Sequence, residues 1–216
     1  MASHFLSRML LVSVLLSFLS INTANAQQDA VFESVATASS YDWTSQDVGT
    51  IVRTLAFNVP VSQIWTLQDH NPNMVGSFGV SAGDFWLKLV TNAYGISLKE
   101  LGGVPVEVDA NYDNIPVWNL AQQLNLPVLL DDFYAGSSTF QVQRDGLVVR
   151  GTGQNVSGFV GQNNSLPVFS TNMAGMTGTH TNLELSSFSI NGVGQAAMVI
   201  THVTVSSIDN ISIEGF

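Results

Sequence analysis

The sequence predicts an α+β fold with two small helix-on-sheet units followed by a β-rich C-terminal segment. Helical and strand patterns alternate from residue 41 to about residue 130. From residue 152 onward Gly, Ser, Thr and Asn dominate and no helical pattern recurs, which favours strands and turns. The chain has no Cys, so the fold depends on a hydrophobic core, for which 45% hydrophobic residues are sufficient.

The first 26 residues have the pattern of a secretory signal peptide. Arg8 precedes an apolar run over residues 9–19, and Ala24-Asn25-Ala26 supplies a small-residue cleavage site. We expect a mature chain that starts at Gln27, carries no lipid and is exported to the periplasm or the cell surface, with a linker over residues 27–39. No later segment approaches the ~20 apolar residues that a transmembrane helix needs, so we expect no membrane span.

The charge of the mature chain excludes some classes of partner. It carries five basic and 16 acidic residues, a net charge of −11. Phosphate backbones are bound by clustered Lys and Arg, so we expect no nucleic acid as a partner. Only 10% of all residues are charged, which is the opposite of a disordered composition.

Three segments of the front half share one pattern: an acid, an amphipathic helix, then Asn or Gly and a short apolar strand. They are DVGTIVRTLAFNVPV from Asp47, DFWLKLVTNAYGISL from Asp84 and DNIPVWNLAQQLNLPV from Asp113. Asn and Gly end helices in the left-handed conformation at low cost, so the pattern predicts helix ends at Asn58, Gly95 and Asn125. The first two helices belong to a unit over residues 40–109 and the third to a unit over residues 110–151.

The C-terminal segment, residues 152–216, is predicted to contain hairpins. Asn191-Gly192 lies between two β-prone runs, and Asp145-Gly146 lies between two more just before the segment begins. Both dipeptides are typical of hairpin turns. Residues 153–178 have the composition of a loop.

Ser81 has two interpretations. Ser81 and Asp84 stand in the S-x-x-D relation of a helix start, where the hydroxyl accepts from a free backbone N–H. Gly79 to Gly83 also match G-x-S-x-G, the nucleophile motif of serine hydrolases. Acids and histidines follow in the right chain order, namely Asp131 or Asp132 and then His180 or His202. The strand before the motif is short and interrupted, which favours the cap over the nucleophile.

The sequence gives weaker support for a calcium site, another metal site or a sugar-binding platform. The run from Asp69 begins like a calcium loop but lacks its glycine and its closing acid. The histidines have no metal-binding spacing. The tryptophans have apolar neighbours, which favours core positions over a sugar-binding platform; they are Trp43, Trp65, Trp86 and Trp118. We therefore expect no enzyme activity and no catalytic, cofactor-binding or metal site.

Part of the chain resembles the secretin and TonB N-terminal domain. The order of aromatic-rich strand, helix and strand, then helix and closing strands, is similar in SYDWTSQDVGTIVRTLAFNVPVSQIWTL and MVGSFGVSAGDFWLKLVTNAYGISLKELGGVPVEVD. The following IPVWNLAQQLNLPVLLDDFYAGSSTFQVQRDGLVVRGT resembles the second periplasmic domain of secretins. The resemblance implies a non-enzymatic accessory, or a split part, of a secretin-type secretion or surface-assembly apparatus, with envelope proteins as partners.

Two alternatives stay open. GDFWLKLVTNAYGISLKEL and LAFNVPVSQIWTLQDHNPN are similar to parts of LysM modules, which implies a protein that binds peptidoglycan or another cell-wall glycan. The Gly- and Asn-rich β segment suits a surface adhesin or matrix subunit, in which exposed strand edges pair between chains.

Overall fold

The computed structural model describes residues 29–73, 77–91, 94–171, 179–192, 196–204 and 206–215. The expected signal peptide and cleavage site lie outside these residues. The described chain consists of an N-terminal sheet, which we call the head sheet, and a C-terminal stack of parallel strands, which we call the solenoid. None of the described helices combines the length and apolar character that crossing a membrane requires.

The head sheet has five strands in the spatial order β1-β2-β3-β5-β4. Only β1 and β2 pair in parallel, and the other neighbours are antiparallel. A short helix, α1 (Val35–Ser39), follows β1, and Ser34 caps it by accepting from the Thr37 N–H at 3.1 Å. The strands are β1 (Asp29–Phe32), β2 (Ile51–Ala56), β3 (Pro60–Gln68), β4 (Gly79–Ala82) and β5 (Phe85–Leu89).

Buried polar side chains join β2 and β3 within the head sheet. Trp65 Nε1 donates to Thr54 Oγ1 at 3.0 Å, and Thr54 Oγ1 donates to Gln63 Oε1 at 3.0 Å. All three residues are buried. Each polar group therefore has a partner inside the core, as burial requires.

The solenoid is built from short strands that pair in parallel with strands one coil earlier or later. On its first face the strand order is β6-β7-β10-β14, and on its second face it is β8-β11-β14. Strand β14 belongs to both faces, because its first part pairs with β10 and its last part pairs with β11. Strand β17 pairs with β14 along both parts. A third side pairs β9 with β12 and β12 with β15. The strands are β6 (Ile96–Ser97), β7 (Val128–Leu130), β8 (Phe133–Gly136), β9 (Phe140–Gln141), β10 (Val148–Gly151), β11 (Gly158–Gly161), β12 (Phe169–Ser170), β13 (His180–Thr181), β14 (Glu184–Gly192), β15 (Met198–Val199), β16 (Val203–Thr204) and β17 (Ser207–Glu214).

Side chains in register form apolar columns along the interior of the solenoid. Parallel pairing aligns equivalent positions of successive coils, so one inward position repeats the same kind of residue. One column runs through Ile96, Val128, Val149, Leu185 and Ile208. The first four are buried.

A nine-residue helix, α2 (Ile115–Gln123), packs on the first coil. Asn114 precedes it and is fully buried, and its side chain accepts from the Val104 N–H at 2.9 Å and donates to the carbonyl oxygens of Val104 and Ala135. Asn125, with φ at 57°, follows the helix in the left-handed conformation. The helix after Asp113 and its end at Asn125 are therefore confirmed.

The predicted fold class, α+β with two helix-on-sheet units, is wrong. The segment after Asp47 forms β2, where Val52 and Thr54 are buried while Arg53 and Leu55 are exposed. The segment after Asp84 forms β5, where Leu87 and Leu89 are buried. Burial alternates at every second residue in both segments, which is the period of a strand.

The two predicted hairpins are also wrong. Asn191-Gly192 lies within β14 and pairs in parallel with Val160 and Gly161. Asp145-Gly146 lies in a turn between β9 and β10, which belong to different sheets. The segment over residues 153–178, expected to be a loop, contains β11 and β12. At the expected boundary near residue 151, β10 lies between β7 and β14 in one sheet.

Candidate functional site

A cleft of about 410 Å³ lies beside β3, where the head sheet meets the first coils of the solenoid. We call it the junction cleft. A 3₁₀ helix (Lys99–Leu101) and the ends of β6, β7 and β10 contribute to its walls. The lining residues are Val61, Ser97, Glu100, Leu129, Leu130, Asp131, Arg150, Gly151 and Thr152.

Asp131 and Asp132 lie in the turn between β7 and β8, and Lys99 contacts both. The Lys99 Nζ atom is 3.7 Å from Asp131 Oδ2 and 3.3 Å from Asp132 Oδ2. Asp131 Oδ1 also accepts from Ser97 Oγ at 3.0 Å and from the Tyr134 hydroxyl at 2.5 Å. These bonds fix the Asp131 carboxylate at the wall of the cleft.

Glu100 is a second acid of the cleft, and its environment favours the neutral form. Burial raises the pKa of its carboxyl group, and the negative charge of Asp131 raises it further, while the Ser97 N–H that donates to Oε2 at 2.8 Å lowers it. The backbone carbonyl of Glu100 accepts from Gln63 Nε2 at 2.5 Å. This bond ties the 3₁₀ helix to the buried polar side chains of the head sheet.

One buried side chain and one exposed side chain complete the surroundings of the cleft. Burial raises the pKa of Tyr134, and its hydrogen bond to Asp131 raises it further, so the buried phenol stays neutral and its O–H donates to Asp131. Arg150 pairs with Glu184 on the adjacent strand, with Nη2 and Oε1 3.0 Å apart. The guanidinium has five N–H donors, and this pair is about half exposed, so a ligand in the cleft can reach it.

The cleft therefore combines carboxyl, hydroxyl and guanidinium groups with apolar walls. Such a set forms directed hydrogen bonds with a ligand rich in hydroxyl groups. Glu100 and Asp131 are the two acidic residues that line the cleft. The described residues contain no group of three or more His, Asp or Glu side chains placed to hold a metal ion.

The structure places Ser81 in a hairpin of the head sheet, which fits neither of its two sequence interpretations. Ser81 is exposed on β4, opposite Trp86 on β5, and its Oγ donates to the Gly83 carbonyl at 3.5 Å. It caps no helix, because a two-residue turn joins β4 to β5. The same hairpin stands where the nucleophile motif requires a strand followed by a helix. Of the later candidates, Asp131 lines the junction cleft, Asp132 pairs with Lys99, and the His180 side chain lies outside what the structure describes.

The tryptophans lie mainly in the core, as the sequence predicts. Trp43, Trp65 and Trp118 are buried, and Trp86 is half-buried on the head sheet. Sequence reasoning missed Lys99 and Glu100. The signal that could have found them is S-x-x-E from Ser97 to Glu100, in which the Glu100 side chain returns to the Ser97 N–H.

No protein-family model matches the sequence, and no curated protein matches it. Two solved structures are similar in fold. The gp42 tailspike of Acinetobacter phage vb_AbaP_AS12 has a TM-score of 0.64 and 13% identity over 87% of this chain. The tailspike protein of Acinetobacter phage vB_ApiP_P1 has a TM-score of 0.53 and 13% identity over 89% of this chain.

The fold resembles that of phage tailspikes. At 13% identity the likeness concerns the fold alone, and the matched part spans 36% and 39% of the two tailspikes. It agrees with the β-rich, adhesin-like alternative of the sequence analysis. It does not bear on the resemblances to secretin domains or to LysM, which stay predictions.

Proposed function

We propose that this chain is an exported surface-attachment module that binds a hydroxyl-rich polymer, such as a cell-surface glycan, in the junction cleft. The observation that carries the proposal is the fold likeness to two tailspikes over 87% and 89% of the chain. Tailspikes are parts of phage tails, and we transfer from them the role of surface attachment.

The chemistry of the cleft supports the ligand class. Asp131, Glu100 and Ser97 present oxygens at its wall, and the Arg150 guanidinium presents donors. A neutral or basic glycan suits this set better than an acidic one, because the mature chain has a net charge of −11. Ligand recognition then depends on hydrogen bonds that fix the orientation of the polymer.

A matched pair of arginines makes the proposal testable. Arg150 pairs with Glu184 across two parallel strands beside the cleft, and Arg53 pairs with Asp29 across two parallel strands of the head sheet. Both pairs are about half exposed. We expect Arg150→Gln to weaken glycan binding about tenfold, the effect of losing a charge-assisted hydrogen bond, and Arg53→Gln to leave it unchanged.

The measurement is a glycan array with the exported protein, followed by calorimetry on each glycan that binds. Equal affinities for both arginine variants would place the ligand elsewhere. The absence of binding to every neutral and basic polysaccharide would overturn the proposal.

A second candidate function is glycan hydrolysis, and one observation favours it. Burial and the charge of Asp131 raise the pKa of Glu100, which is the condition of a general acid beside a second carboxylate. Release of reducing ends by the unmodified protein, lost in Glu100→Gln while binding persists, would establish this function. Binding without any release supports the attachment module alone.

The proposed place of action is outside the cytoplasm. The support is the signal-peptide pattern and the Ala24-Asn25-Ala26 cleavage site. Intact-mass analysis of protein from the growth medium or periplasm should give a chain that begins at Gln27 and carries no lipid. A chain that retains residues 1–26 would contradict export by cleavage.

A further inference from the structure

A second cleft, of about 310 Å³, lies where the end of α2 meets the turn between β9 and β10. We call it the arginine cleft. Its volume is within the range of small-ligand sites, about 300–1,000 Å³. The described residues that line it are separate from those of the junction cleft, and all their side chains end in an amide or a guanidinium group. They are Gln122, Gln123, Asn125, Gln143 and Arg144.

Arg144 is half-buried in this cleft, and its guanidinium donates to neutral oxygen atoms. Nη2 donates to the Leu126 carbonyl at 2.8 Å, and Nη1 donates to Asn125 Oδ1 at 2.9 Å. Longer contacts from Nη1 reach the carbonyl oxygens of Asp145 and Gly146. Because all four acceptors are neutral, they hold the guanidinium in place without compensating its charge.

No carboxylate among the described residues forms an ion pair with Arg144, whereas Arg53 and Arg150 each have one. The adjacent Asp145 carboxylate accepts from the Thr181 N–H at 3.1 Å. Burial lowers the pKa of the Arg144 guanidinium, and no acidic neighbour among the described residues opposes this effect. The C-terminus of α2 carries a partial negative charge of about half an elementary charge, so the full charge of the guanidinium leaves the cleft positive.

Two amide groups beside Arg144 are held in place by hydrogen bonds. Gln122 is buried, donates through Nε2 to the Gln141 carbonyl at 2.9 Å and accepts from the Gln143 N–H at 2.7 Å. Gln143 Nε2 donates to Asn119 Oδ1 at 2.7 Å. Each amide has two N–H groups and a carbonyl oxygen with two lone pairs. These bonds do not use all of them, so the amides can also bind hydroxyl groups of a ligand.

From these contacts we propose that the arginine cleft is a second ligand site, which binds a sugar acid: a sugar ring with one carboxylate, such as a uronate. The carboxylate accepts from the second N–H of Arg144 Nη2 in a charge-assisted hydrogen bond. The hydroxyl groups of the ring bind the amides of Gln122 and Gln143. By contrast, Glu100 and Asp131 line the junction cleft. Binding in the arginine cleft does not depend on what the junction cleft binds.

The first test is an NMR titration of the exported protein with glucuronate, with glucose and with acetate. Glucuronate should shift the side-chain amide signals of Gln122, Gln123 and Gln143. Its dissociation constant should be at least about tenfold lower than that of glucose, which lacks the carboxylate, and than that of acetate, which lacks the ring. Affinity for glucose or for acetate equal to that for glucuronate would overturn the proposal, as would no binding of glucuronate.

The second test uses a matched pair of glutamine variants. Gln123 is exposed at the cleft, and Gln46 is exposed in the segment between α1 and β2. Gln123→Glu puts a negative charge beside Arg144, where it competes with the ligand carboxylate and should weaken glucuronate binding at least about tenfold. Gln46→Glu adds the same charge far along the chain and should leave the affinity unchanged. Equal affinities for the two variants would overturn the proposal.

Both glutamine variants keep the hydrogen bonds by which Arg144 ties its turn to Asn125 and Leu126, so circular dichroism should show both folded. Arg150→Gln, the variant of the junction cleft, should leave glucuronate binding unchanged. Loss of glucuronate binding in Arg150→Gln but not in Gln123→Glu would place the sugar acid in the junction cleft and overturn the proposal.

Discussion

The indole ring of Trp118 meets the phenyl ring of Phe159 edge-on, with the ring centroids 5.2 Å apart and the planes at 80°. This contact connects α2 to the aromatic interior of the solenoid. The Trp118 Nε1 atom also donates to the Gln141 carbonyl at 2.7 Å, so the polar atom of this buried ring has a partner. The Trp118 side chain therefore attaches helix α2 to the solenoid in two ways: its ring packs in the apolar core, and its Nε1 atom hydrogen-bonds to the backbone of β9.

The first prediction concerns this side chain. Trp118→Ala should lower the free energy of unfolding by about 3–5 kcal/mol, since it leaves a cavity beside the rings of Phe140, Phe159 and Phe169 and removes one of the two side-chain hydrogen bonds to the Gln141 carbonyl. Trp86→Ala is the control and should cost less, because Trp86 is only half-buried on the head sheet. Urea unfolding measures both. Equal losses would show that α2 contributes no more than the head sheet to the core.

The second prediction concerns Ser81 and the turn beside it. Ser81→Ala should change stability by less than about 0.5 kcal/mol, because an exposed strand residue that caps nothing contributes little. Gly83 has φ at +64°, so Gly83→Val should be destabilising by about 1–2 kcal/mol. Gly83→Asn should be tolerated better, since Asn adopts this conformation readily. A loss of about 1 kcal/mol in Ser81→Ala, the size of a helix cap, would contradict the hairpin.

The contrast between α2 and β5 shows what the sequence could predict. The helix after Asp113 is marked by its length, by Pro116 near its start and by Asn125 after its end, and these local signals agree. Phe85–Leu89 is short, and its apolar residues fit both a helical stripe and a strand face. The deciding feature is the two-residue turn at Gly83 and Asp84, which pairs Ala82 with Phe85.

The parallel pairing could not be predicted from the sequence, because no regular spacing marks the coils. Val149 pairs with Val128 on one side and with Leu185 on the other, at unequal separations along the chain. Turn dipeptides such as Asp145-Gly146 are compatible with a hairpin and with a solenoid corner alike. The junction cleft was missed for the same reason, since Glu100 and Asp131 come together only through the pairing of β6 with β7.

The third prediction concerns the pH dependence that Glu100 causes. Burial first, and then the charge of Asp131, raises its pKa in the folded protein above the ordinary value of 4.5. Folding therefore binds a proton in this range, so stability falls as pH rises from 4.5 through the raised pKa. Glu100→Gln removes this pH-dependent loss of stability and keeps a side-chain oxygen that accepts from the Ser97 N–H.

Urea unfolding between pH 4 and pH 7 measures the effect of Glu100→Gln. The stability of the variant relative to the unmodified protein should increase with pH over this interval and then level off. A difference that stays constant with pH would show that Glu100 titrates alike in the folded and unfolded chains.

The last prediction concerns Asp113, which joins the start of α2 to the turn after β8. Burial acts to raise the pKa of its carboxyl group, but the hydrogen bonds from Ser137 Oγ, Ser137 N–H and Ile115 N–H together outweigh burial and lower the pKa below 3.8. The stabilisation is therefore fully present above pH 3.8 and is lost as pH falls through the lowered pKa. Asp113→Asn should lower the free energy of unfolding by about 1 kcal/mol at pH 7, the size of a helix cap, and the difference should shrink in acid.

Ser137→Ala tests whether the Asp113 carboxylate acts through Ser137. If it does, the double variant should lose less stability than the two single losses added together. Full additivity, or a difference that persists unchanged in acid, would show that Asp113 acts by another contact.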